Sequence, residues 1–120
     1  MHGRPTDPAA AGAADRTRRP IAAFLWVLRV LEHTRQRLRR EGHVTAQELL
    51  EGQRELVVRE YGPMAFEVLS HWGLRESRDV GDVVFAMVDA GLLGKTDEDD
   101  RADFDTGYDF HETFVENYPW

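Results

Sequence analysis

Carboxylates crowd the end of the chain: Asp97, Glu98, Asp99, Asp100, Asp103, Asp105, Asp109 and Glu112. Oxygen donors at that density suit a hard cation such as calcium, provided a loop presents them at fixed spacing around a glycine turn. The spacing here does not close. Counting from Asp103 as first ligand puts Gly107 at the fifth place instead of the sixth, and Phe114 where a bidentate Glu belongs. Starts at Asp97 or Asp99 fare no better. The acids therefore predict neither a metal site nor a cofactor, and at most adventitious calcium or magnesium binding.

Other chemistry is weaker still. Asp89-Ala-Gly-Leu-Leu-Gly94-Lys95-Thr96 approaches a phosphate-cradling G-x-x-x-x-G-K-T loop. However, Asp89 sets a carboxylate where the first glycine should be, a helical pattern precedes it in place of a strand, and acids follow in place of a helix start. The chain has no Cys, which excludes disulfides, thiolate metal sites and a cysteine nucleophile. Ser70 and His71 are neighbours whose side chains diverge on a helix, so they cannot act as nucleophile and base. His2, His33, His43, His71 and His111 never pair at the i, i+4 spacing of a helical zinc site. No catalytic residue can be named.

Two binding chemistries remain. Arg16, Arg18, Arg19, Arg35, Arg37, Arg39 and Arg40 could hold phosphates without reading sequence, or could form a solvated helix end and arm. Against duplex readout, the later helix that would enter a groove carries Asp79, Asp82 and Asp89 outward. Phe104, Tyr108, Phe110, Phe114, Tyr118 and Trp120 interleave with the acids, and six aromatics in the last 25 residues exceed what a loop needs. Either they fold back onto the helices, or they dock with the acids into a basic, apolar groove of a partner.

The elements that must position these residues read as helices. Pro20 suits a first turn, and Ile21, Phe24, Leu25, Leu28, Leu31 and Leu38 keep helical spacing to Arg40, with Gly42 as the stop. Trp26, Val27 and Val30 on its other faces predict a buried front half. Thr45-Ala-Gln-Glu48 is a capping-box pattern for a second helix from Ala46 to Tyr61. Gly62-Pro63 opens a third, Met64 to Trp72, closed by Gly73, and Val80 to Ala90 forms a fourth, capped by Ser77 or Asp79. His43-Val44, Leu92-Leu93 and Tyr108 to Phe110 are the only short strand candidates. Residues 1–19, rich in Ala, Gly, Pro and Arg, read as a disordered arm, 20–115 as one domain and 116–120 as a tail.

A long helix, a brief extended piece, further helices, then a helix ending in VDAGLL, a polar hairpin and an aromatic return strand is an order that resembles a winged helix-turn-helix. The expected fold is mainly α, with about four helices and a small acidic β-wing. VTAQELLEG, SHWGLRESRDVGDVVFAMVDAGLLGKT and DDRADFDTGYDF together resemble a family of uncharacterised bacterial proteins found mainly in planctomycetes, verrucomicrobia and related lineages. The resemblance spans roughly Phe24 to Val115, leaving the Ala-rich arm and Glu116 to Trp120 outside. It implies a boundary and no activity.

At 120 residues, with 42% hydrophobic and 31% charged, the chain fits one soluble globular domain. No stretch approaches a membrane span, and Arg29 interrupts the apolar run after Arg18-Arg19 that could pass for an export signal, so a cytoplasmic place is expected. Net charge is +5 over residues 1–42, −4 over 43–95 and −8 over 96–120. The sequence therefore predicts a non-enzymatic protein-interaction or adaptor module. Its surface would be the acidic wing and tail, with Asp99, Asp100, Arg101, Asp103, Phe104, Asp105, Tyr108 and Asp109 as contacts and Trp72 shaping the turn beneath. The alternative is a nucleic-acid-associated regulator using Arg35, Arg37, Arg39 and Arg40, which the acidic wing disfavours. A third alternative is a metal-dependent enzyme of the acidic tail. The protein partner and the oligomeric state are not named by the sequence.

Overall fold

The computed structural model describes residues 19–93 and 101–117. Pro20 supplies an extended N-cap for helix α1, Ile21–Leu38. The helix stops at Arg39, whose left-handed backbone (φ 52°) directs its N–H back to the last turn, so the break comes before Gly42. Thr45 caps α2, Ala46–Tyr61, through the expected reciprocal pair: its hydroxyl accepts from the Glu48 N–H at 3.1 Å, and the Glu48 carboxylate accepts from the Thr45 N–H at 2.9 Å. Gly62 (φ 52°) then turns the chain into a 3-10 turn, Gly62–Met64, and the short helix α3, Ala65–His71.

Helix α4, Ser77–Asp89, takes Glu76 as its N-cap, one residue ahead of Ser77 and three ahead of Asp79. Asp79 Oδ2 accepts from the backbone N–H groups of Arg75 and Glu76 at 2.9 and 3.1 Å. Ser77 does not cap: its hydroxyl turns inward and donates to the Phe104 carbonyl. The other Asp79 oxygen receives Arg19 at 2.6 Å, and Arg19 also reaches Asp82 and the Gly73 carbonyl, both at 3.3 Å. Arg19 thus belongs to the domain, tying the start of α1 to the start of α4. Residues 1–18 of the expected arm lie outside the described residues.

One core joins all four helices. As expected, α1 buries its front half on several sides through Ala23, Phe24, Trp26, Val27 and Val30. Leu49, Leu50, Leu56 and Val57 of α2, and Val80, Val83 and Met87 of α4, complete the helical layer. The chain then returns as a 3-10 turn, Arg101–Phe104, and a π-helical stretch, Glu112–Glu116, laying Phe104, Phe110 and Phe114 into the same core at 3% exposure or less.

The structure is mainly α, and no strand forms among the described residues. His43-Val44 and Leu92-Leu93 are irregular or bent, and the return strand expected at Tyr108 to Phe110 runs irregularly into the final helical stretch. The physical reason is backbone pairing. A lone strand would leave its donors and acceptors unmet. This segment meets them locally, with Asp105 N–H on the Ala102 carbonyl (3.1 Å) and Thr113 N–H on that of Asp109 (2.9 Å), and through Gln47, which donates to the Asp103 carbonyl at 3.0 Å. The hairpin expected over Asp97 to Asp100 lies outside the described residues.

Candidate functional site

The start of α4 and the returning segment bound a cleft of about 440 Å³, lined by Glu76, Ser77, Arg78, Asp105, Tyr108 and Asp109 around Gly107. Close approach makes its floor. A Cβ on Gly107 would fall 2.5 Å from the Ser77 Cβ and 2.8 Å from a Leu50 methyl, so only glycine lets this backbone lie against α2 and α4. Gly81 has the same role one turn up α4, where a Cβ would sit 2.8 Å from Phe104. Phe104 fills that notch and meets Phe85 edge-on, centroids 6.3 Å apart.

Tyr108 forms the inner wall. Its phenol donates to the Leu50 carbonyl at 2.9 Å and accepts from Gln53 Nε2 at 3.3 Å, while Gln53 Oε1 accepts from the Trp26 indole at 3.1 Å. Burial pushes the Tyr108 phenol pKa up, since the phenolate would have to form away from water. Gln53 is fully buried, and this relay is how its amide is satisfied.

The rim is charged. Asp105 and Asp109 are exposed, and Asp109 Oδ1 also caps the final helical stretch by accepting from Glu112 N–H at 2.8 Å. Arg78 extends into solvent and pairs with Glu76 at 2.8 Å, with Asp105 adding to the negative field around it. The cleft can therefore hold a cationic group against carboxylates with an aromatic edge behind it. Among the described residues no three His, Asp or Glu side chains converge as a metal site.

The structure divides the sequence candidates. Asp105, Tyr108 and Asp109 meet at the cleft, and exposed Asp103 lies on the adjoining 3-10 turn. Phe104 and Phe110 are core residues and cannot serve as free anchors. Tyr108 is held from within by its two hydrogen bonds. Trp72 lies elsewhere, half-buried against Trp26 and Tyr61 with centroids 5.5 and 5.9 Å away. Asp99 and Asp100, and the side chain of Arg101, lie outside the described residues, as do Tyr118 and Trp120.

Most of the arginines in and just after α1 are engaged within the fold. Arg35 donates to the Gly42 carbonyl at 2.9 Å, Arg37 pairs with Glu55 at 3.0 Å, Arg40 pairs with Glu48, and Arg39 is the exposed left-handed cap. Arg29 reaches Glu60 in the same seam and lies over the Trp26 ring at 5.8 Å. Sequence reasoning missed Gln53 and Gly81, and read Arg19 as part of the arm. Gln53 had a signal, because it interrupts the apolar stripe Ala46, Leu49, Leu50, Leu56, Val57 at a position that spacing turns inward. Gly81 within an apolar helix was a second.

No family model matches the chain, and no curated protein or solved structure does. Among the described residues no helix is long and apolar enough to cross a membrane.

Proposed function

We propose that the protein is a non-enzymatic interaction module whose docking surface is the acidic cleft between the start of α4 and the returning segment. The observation that carries this reading is the opposite disposition of the two charges. Arg29, Arg37 and Arg40 are paired with α2 and Arg35 with backbone, whereas Asp105 and Asp109 stand exposed at a cleft. The partner of matching chemistry is a basic protein segment, with a guanidinium or ammonium entering between Asp105 and Asp109. Asp97, Glu98, Asp99 and Asp100 directly precede Arg101 in the chain. A bacterial, cytoplasmic setting belongs to the proposal.

Fluorescence anisotropy with a labelled arginine-rich peptide tests it, using the full chain, the pair D105N/D109N and the control D89N, which changes an exposed acid on α4 outside the cleft lining. Asn at 109 keeps a cap, so the fold is retained. Two rim carboxylates at surface dielectric are worth about fivefold in affinity together, so D105N/D109N is expected to weaken binding about fivefold while D89N leaves it unchanged. Equal effects of both variants, or no peptide binding at low salt, would overturn the cleft as the docking site. Tight, salt-dependent binding of duplex DNA by the same protein would move the function to the arginines.

A further inference from the structure

We draw no further inference here: the strongest candidate, the half-buried apolar stripe of Val84, Val88 and Leu92 along α4 and its C-terminal turn, carries nothing because nothing in the structure shows what covers it.

Discussion

Tyr108 joins the returning segment to the helices through one oxygen that both donates and accepts. Removing it leaves the buried Gln53 Nε2 without its acceptor and takes one of the hydrogen bonds from the Leu50 backbone carbonyl. Tyr108→Phe keeps the ring packing against Phe110 and Phe114, 5.2 and 5.7 Å away, so its effect isolates the hydroxyl. The expected loss is about 1–3 kcal/mol in urea unfolding, the penalty for stranding a buried polar group. An unchanged midpoint would mean that water satisfies the Gln53 amide. The same phenol sets an alkaline limit. Its pKa is raised in the folded state by burial, so folding favours the protonated form. The corresponding stability is fully present below the ordinary phenol value of 10.0 and is lost as pH rises above it. Wild-type protein should therefore lose stability above that pH more steeply than Tyr108→Phe, measured by thermal unfolding over an alkaline series. Parallel profiles would assign the alkaline loss to other groups.

Helices α1 and α2 pack at a glycine notch that their own patterns do not announce. A Cβ on Gly52 would fall 1.9 Å from Thr34 Oγ1, which is buried and donates to the Val30 carbonyl at 2.7 Å. Gly52→Ala should gain about 1 kcal/mol of helix propensity and lose more to the clash, since overpacking costs about 1–3 kcal/mol. In Thr34→Ala/Gly52→Ala the new methyl takes the space of the hydroxyl, so the double variant should be more stable than the two single losses predict. A double-mutant cycle in urea measures this, and additive losses would show that the helices shift apart instead. Such close approaches explain which parts of the fold were legible. Thr45 and Glu48 announced the start of α2 because a cap is a local device with a fixed spacing. Apolar spacing likewise located all four helices to within a few residues. The returning segment was not legible in kind. Phe104, Tyr108, Phe110 and Phe114 all occupy even positions, which a strand would place on one face, but among the described residues no strand pairs with the segment and it runs irregularly. Its acids Asp103, Asp105 and Asp109 are exposed, while Phe104 and Tyr108 were equally readable as anchors or as core. Only a tertiary notch at Gly81 and a buried Gln53 decide between these, and both lie far away in sequence.

Charge separation along the chain becomes a surface property only after folding. Among the described residues Arg29, Arg37 and Arg40 are met by Glu60, Glu55 and Glu48 of α2, whereas the segment 101–117 closes the core and leaves Asp103, Asp105 and Asp109 exposed. This couples the proposed docking surface to the stability of the domain. A partner would meet a cleft already built by buried Phe104, Phe110 and Phe114, and would not have to order a loose tail, a step that weakens binding when it is required. Deleting residues 94–120 tests that coupling. Three buried phenylalanines contribute roughly 5–9 kcal/mol by apolar burial, against a total of roughly 5–15 kcal/mol for a domain of this kind. Loss of the segment also uncovers Leu50, Gln53 and the Gly81 notch. The truncated chain is therefore expected to melt without a cooperative transition and to bind a hydrophobic dye, with circular dichroism still reporting helix. A sharp melt near the wild-type temperature would make the segment an appendage to a self-sufficient helical unit, and its acids would then belong to a separable docking tail.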